Sequence, residues 1–391
     1  MRATHHRLPS KSIVSVVIVV CLLSIWACST PIPTATPWNW QLSKNIPEPS
    51  IPSNNSMTAE KVLLGRYLFY DKRLSADQKI SCASCHFQKH AFADGKKTPK
   101  GANDTPIPRN SMGLANVAYY VTYTWGNPVL QHLEQQILVP LFVDFPPELH
   151  IADKVPEVLA RLAKLPLYQK LFREAFPNVQ VETSVSIDNI VKALACFMRS
   201  MVSTSSPYDH YLQGKQDALS SSAKRGMKLF FSKELPCKGC HSGIWFSKAM
   251  RGKGEPLPED FFANNGLYNL GKEGLYPFPN TGLHEFTQKA QDMGKFRIPS
   301  LRNIGVTAPY MHDGSISTLR GVIEHYAKGG RTIETGKWKG DGSQNPHKSQ
   351  KVQPFTLNKQ QIDDLIAFLH SLTDPAFLKD KRFADPFANA K

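Results

Sequence analysis

The sequence is poor in cysteine, in acidic residues and in long apolar runs, and each shortage excludes something. It has seven cysteines in 391 residues. Two of them, Cys21 and Cys28, sit in an N-terminal apolar run, which leaves Cys82, Cys85, Cys196, Cys237 and Cys240. An odd number dominated by two close pairs argues against a disulfide framework. Lys and Arg number 47 against 32 Asp and Glu, a net charge of +15. Basic tracts such as "KKTPK" (96–100) suit an acidic partner, although most lysine clusters are simply solvated surface. The apolar run "SIVSVVIVVCLLSIWAC" (12–28) is too short to span a bilayer comfortably.

What is present begins with that run. Behind the basic start "MRATHHRLPSK" it has the length of a signal-peptide apolar region, so the chain is expected to be exported and to meet no nucleic acid. The run ends "SIWACST", similar to a bacterial lipoprotein cleavage box with Cys28 as the lipidated residue. A periplasmic protein whose only membrane contact is a lipid on Cys28 is therefore expected, with residues 1–27 as signal peptide. Ordinary cleavage a few residues later stays open, because Trp26 is unusual in that box. Cleavage before Cys28 leaves 364 residues and a net charge of +12, since Arg2, Arg7 and Lys11 are removed. Pro31, Pro33, Pro37, Pro47, Pro49 and Pro52 make residues 28–56 an expected extended tether. The remainder is long enough for two domains, expected at 57–205 and 206–391.

Both cysteine pairs run straight into a histidine: "CASCH" (82–86) and "CKGCH" (237–241). One turn with that spacing brings two thiols to the vinyl groups of one haem and places the next imidazole at its iron. Two covalently bound c-type haems are predicted, the first held by Cys82, Cys85 and His86, the second by Cys237, Cys240 and His241. Zinc ligation and a redox CxxC are the rival readings, and two CxxCH motifs in one chain favour haem attachment over both. Cys196 lies off the apolar stripe of "IDNIVKALACFMRSM" with no histidine at ligand spacing, so a small buried thiol is expected.

The chain also repeats itself. "GRYLFY" (65–70) precedes the first motif and "GMKLFF" (226–231) the second. Downstream, "LANVAYYVTYTWGN" (114–127) matches "LRNIGVTAPYMHDG" (301–314), which pairs Asn116 with Asn303 and Trp125 with His312. Carried further, the register sets Leu133 opposite Leu319 and Pro140 opposite Tyr326. That position should approach the open face of each haem. Tyr326 offers an anionic oxygen ligand and Pro140 offers no donor, so one six-coordinate haem and one with an open site are expected. His325 and Met311 are the rival ligands to Tyr326. Trp125, at the junction of the halves, is expected to relay charge, although it could be an ordinary core aromatic. Gln136 and Glu148 are expected on the open face, where an amide and a carboxylate can move the proton that peroxide cleavage requires.

These motifs resemble the bacterial di-haem cytochrome c peroxidase and MauG family over nearly all of residues 57–375. The resemblance rests on "LGRYLFYDKRLS", both CxxCH motifs, "PRN", "LEQQ", "FRIPSLRN" and "TAPYMHDGS". It implies an all-α fold of two cytochrome c-like domains, with a calcium ion held by Asn110 and by the backbone of Thr307 and Pro309. Family peroxidases carry methionine where Tyr326 stands and a capping histidine before "PRN". Here that loop offers only His90, four residues past His86. Tyrosine with an uncapped haem is the MauG pattern, which implies hydrogen peroxide as oxidant and a residue of another protein as target. "TWGNPVLQHLEQQILVPLF" and "FPPEL" look like the MbnH-like enzymes of methanobactin operons. Those oxidise a tryptophan of a copper-binding, MbnP-like partner to kynurenine. "WGN" stands where many relatives have "WDGR". The alternative is a peroxidase fed by a small electron-donor protein, and a pure electron carrier is disfavoured by Pro140.

Overall fold

The computed structural model describes Met1 and residues 35–388. Beyond Met1, the expected signal peptide with Cys21, and the expected lipid site at Cys28, lie outside the described residues. From Ala35 onward the chain forms one compact unit, and among the described residues no helix is long and apolar enough to cross a membrane.

Six helices position the site: α1 (Ala59–Tyr70), α2 (Leu133–Phe142), α3 (Ile187–Ser200), α4 (Ser221–Phe230), α5 (Leu319–Ala327) and α6 (Lys359–His370). Five begin at a polar cap. The side chains of Thr58, Ser186, Ser220, Thr318 and Asn358 each accept from a first-turn backbone N–H, satisfying donors the helix itself cannot.

Helix α1 crosses α3 at Gly65, where a Cβ would stand 2.0 Å from the Ala193 carbonyl oxygen and 2.8 Å from Phe197 Cβ. Helix α4 crosses α6 at Gly226 in the same manner, with Asp364 O at 1.9 Å and Phe368 Cβ at 2.9 Å. Only glycine allows backbones so close. The correspondence continues downstream. Asn116 and Asn303 both adopt left-handed backbone, φ 61 and 62, a conformation asparagine tolerates. Their N–H groups donate to Met201 O at 2.8 Å and Leu372 O at 2.9 Å, just beyond α3 and α6.

The first core gathers Phe69, Phe92 and Phe197 with Leu133, Ile137 and Leu141 of α2. A second gathers Phe230, Phe246 and Phe368. A third, smaller cluster contains Trp125 with Leu267, Tyr268, Tyr276 and Phe296. Helix α3 is buried well beyond its expected stripe, since Asn189, Ala193, Cys196 and Arg199 are buried too. Cys196 is fully buried, reaches Asn55 Oδ1 at 3.5 Å, and burial pushes its thiol up to about 11. That is the inert thiol the sequence suggests.

Two expectations need qualification. The class is helical with two short antiparallel ladders, Phe262–Ala263 with Phe296–Arg297 and Thr332–Ile333 with Gly340–Asp341. Long irregular connections, rather than helices, form much of the wall of the site. The proline-rich stretch is no free tether over its described part: Asn55 is fully buried, Trp38 and Trp40 pack on the first core, and Pro47 O accepts from the Tyr119 hydroxyl. Its prolines forbid helix, but the apolar residues between them still gain by leaving water.

Candidate haem sites

Each CxxCH segment folds into one 3-10 turn, Cys82–Ser84 and Cys237–Gly239, and the four thiols are free. The following imidazole is anchored in both. His86 Nδ1 lies 2.6 Å from Phe92 O, and His241 Nδ1 lies 3.0 Å from Phe246 O. A carbonyl only accepts, so Nδ1 carries the proton and Nε2 keeps its lone pair for a metal. Phe92 and Phe246 are fully buried, with φ of 63° and 51°. Burial lowers both histidine pKa values, which favours the neutral, metal-binding form.

Beside the second pair opens a cavity that is continuous with solvent. Cys237, Cys240, His241 and Tyr326 line it, as do Trp125, Asn110, Thr307 and Pro309. The rival ligands are otherwise engaged. His325 Nε2 lies 3.0 Å from Asn265 O, and its ring packs edge-on against Tyr326 with centroids 5.0 Å apart. Met311 reaches the cavity wall, but its Sδ accepts from Asn265 Nδ2 at 3.2 Å. Burial pushes the Tyr326 hydroxyl up to about 12, so the phenolate needs a cation beside it to form at neutral pH.

Trp125 is buried in the same wall, and its Nε1 donates to Asn110 O at 2.8 Å. The N–H of Asn110 in turn donates to His312 O at 2.8 Å. Trp125 and His312, paired by the repeat register, thus meet through one residue. His312 stacks on Phe296 with ring centroids 3.6 Å apart, and burial pulls its pKa down to about 3. Asn110 Nδ2 is spent on Lys96 O at 2.8 Å. Among the described residues its Oδ1 and the carbonyls of Thr307 and Pro309 accept no hydrogen bond. Among the same residues no group of three or more His, Cys, Asp or Glu is placed to hold a metal, so a cation at this wall would be held by amide and carbonyl oxygens.

At the first pair, burial pushes Cys82 up to about 12 and Cys85 up to about 11, and Glu148 adds to both. Burial also pushes the Glu148 carboxyl up to about 7. The loop carrying it is pinned by Leu149 N donating to Pro140 O at 2.8 Å. Pro140 stands seven residues after the first residue of α2, and Tyr326 seven after the first of α5, because the helices begin at Leu133 and Leu319. Gln136 Oε1 is buried without a partner, and no hydrogen bond joins Gln136 to Glu148. His90 Nδ1 is turned to Val306 O at 3.2 Å.

The residues fit two haems. Thiol pairs and neutral imidazoles are present, and the cavity wall carries a cation in want of an anion. Arg297 is 3% exposed, its guanidinium lies over the Tyr120 ring at 3.6 Å, and its Nη1 is buried with no partner. A haem propionate would supply the acceptor that such a donor requires. Arg297 was missed as a site residue in the sequence, although "FRIPSLRN" contains it. Its burial is what singles it out.

The chain was compared with known proteins. Residues 59–217 match a family model described as di-haem cytochrome c peroxidase. Methylamine utilization protein MauG of Methylorubrum extorquens is 32% identical over 329 residues, covering 83% of this chain and 82% of that protein. Cytochrome-c peroxidase IdrP1 of Pseudomonas sp. (strain SCT) is 34% identical over 344 residues, 84% of each. A crystal structure of a MauG-like protein associated with microbial copper homeostasis superposes with a TM-score of 0.87 at 43% identity, covering 90% of this chain and 99% of that one. With two haem-attachment motifs, a buried wall suited to the cofactor and relatives of this extent, the chain belongs to the di-haem cytochrome c peroxidase and MauG family of oxidoreductases.

Proposed function

We propose that this protein is a periplasmic, MauG-like oxidase, which uses hydrogen peroxide to oxidise a tryptophan of a partner protein, to kynurenine, through long-range electron transfer. A c-type haem, when attached, supplies an iron that binds and cleaves peroxide. The first site, at His86, is the peroxide-reactive one in this reading, because Pro140 brings no donor atom to its open face. There Glu148, with a carboxyl near neutrality, takes a proton from peroxide and returns it to the departing oxygen, while Gln136 Oε1 accepts a hydrogen bond from the bound oxidant or a water. Tyr326 ligates the iron of the second site. Trp125 relays charge between the two sites, with its indole N–H held by the Asn110 carbonyl.

The observation that carries this reading is the placement of Tyr326 and Trp125 on one cavity wall with His241, while His325 is tied to Asn265. The matched crossings at Gly65 and Gly226 support two copies of one haem-binding unit, divided near residue 205, and Asn110, Thr307 and Pro309 a calcium ion between them. The likeness to a MauG-like protein associated with copper homeostasis favours a copper-binding, MbnP-like partner, and Cys28 is the proposed lipid anchor. The second reading, reduction of peroxide with electrons from a small donor protein, draws on the likeness to a cytochrome-c peroxidase. The two are separated by capturing the partner from periplasm and weighing it before and after peroxide. A partner tryptophan that has gained one oxygen and lost its ring carbon C2, the change from tryptophan to kynurenine, supports the oxidase. An unmodified partner that is merely oxidised at its own metal or haem contradicts it.

A further inference from the structure

Each proximal histidine donates a hydrogen bond from Nδ1–H to a buried phenylalanine carbonyl, and two residues past that phenylalanine the halves carry opposite charge: Asp94 after Phe92, Lys248 after Phe246. Asp94 is 5% exposed. Its Oδ1 accepts from Lys96 N at 2.9 Å, while Oδ2 is buried with no partner. The residue before it is tied to the motif, Ala93 O accepting at 3.0 Å from the N–H of Phe87, which directly follows His86. Lys248 is half-buried, its backbone N–H donates to Cys240 O at 3.2 Å, and Lys351 lines the same cavity as Cys240. The rings of both histidines meet a backbone carbonyl, Phe92 O at His86 and Phe246 O at His241, so the difference between the sites lies in the charge beyond it.

A buried carboxylate oxygen without a donor is costly unless positive charge lies near it, and a ligated iron gains one positive charge each time it is oxidised. Resting on the function proposed above, we infer that Asp94 and Lys248 are opposite charges set beside the two haem attachments to tune their reduction potentials. Asp94 stabilises the oxidised iron at His86 and lowers its potential; the positive charge at Lys248 raises that of the iron at His241. A tyrosine ligand on one iron alone would pull that iron's potential below the other's. Both charges narrow the gap, and sharing one oxidising equivalent between two sites requires a narrow gap. Asp94 and Lys248 touch no substrate in this account. They are positioning residues that act through the irons.

The test is a spectroelectrochemical titration of the holoprotein, with the two haems distinguished by their high-spin and low-spin bands, in the wild type, Asp94→Asn and Lys248→Met. Asp94→Asn retains the acceptor for Lys96 N and removes the charge. It should raise the potential of the first haem by about a tenfold change in its oxidised-to-reduced ratio, or 59 mV for a one-electron couple, with a smaller effect at the second. Lys248→Met should lower the second, and Asp94→Glu should restore the first toward wild type. Unchanged potentials in variants that retain both haems, or shifts of the opposite sign, overturn the inference. If Asp94→Asn fails to mature, Lys248→Met, at a half-exposed side chain, decides alone. The titration uses neither peroxide nor partner, so a failure of partner oxidation would overturn the proposed function and leave this result standing.

Discussion

Tyr326 and His325 are neighbours on α5, yet only the tyrosine reaches the cavity, because the imidazole Nε2 is held by Asn265 O. Tyr326→Phe should therefore convert the second haem from low to high spin in the ferric absorption and EPR spectra, and His325→Gln should leave those spectra intact. Glu148 leads to a pH prediction. Burial holds its carboxyl at about 7, so the proton-accepting carboxylate dominates only above that pH. The rate of reaction with peroxide, measured by stopped flow, should fall as pH drops through about 7. In Glu148→Gln that limb should vanish and the rate should drop by about a hundredfold. The sign for stability is opposite: the fold keeps this proton longer than the unfolded chain, so stability falls as pH rises from the ordinary carboxylate value of 4.5 toward about 7. The two CxxCH segments could be read in the sequence because attachment chemistry fixes their spacing, and Tyr326, which lines the cavity with His241, was reached only through the repeat register. Arg297 and Asp94 were not, since burial and a missing partner define them and neither leaves a pattern in the chain.

Helix crossings carry the next level of the argument. A methyl group at Gly226 would meet the Asp364 carbonyl oxygen at 1.9 Å, and backbone cannot swing aside as a side chain can. Gly226→Ala should cost about 1–3 kcal/mol and lower the thermal midpoint by a few degrees, with Gly65→Ala behaving alike at the first crossing. A change within about 0.5 kcal/mol at either would mean that the helices separate without cost. The glycines of "GRYLFY" and "GMKLFF" were visible as a repeat, but their reason is a partner helix more than 120 residues away in sequence, and no local pattern announces it. Helix α3 shows the same limit. A stripe of six apolar residues reads as one buried face, whereas Asn55 and Arg199 complete a buried polar side through Glu134, which takes Asn55 Nδ2 at 2.7 Å and Arg199 Nη1 at 2.7 Å.

At the scale of the whole molecule, both CxxCH segments belong to one compact body, and buried Trp125 stands in the wall of the cavity beside the second. Denaturing mass spectrometry of the mature protein should show the polypeptide plus two haems, and a Cys240→Ser variant should hold the second one less securely. One haem only in the wild type would remove the basis for everything above. The central claim, that an oxidising equivalent made at one site is shared with the other and spent on a partner protein, is tested most directly by adding one equivalent of hydrogen peroxide to the diferric protein and recording its absorption spectrum in time. The account predicts that the bands of both haems change together, that the change persists until partner is added, and that Trp125→Phe restricts it to a single haem. A change confined to one haem in the wild type, followed by rapid turnover with a reduced small electron donor, would contradict it.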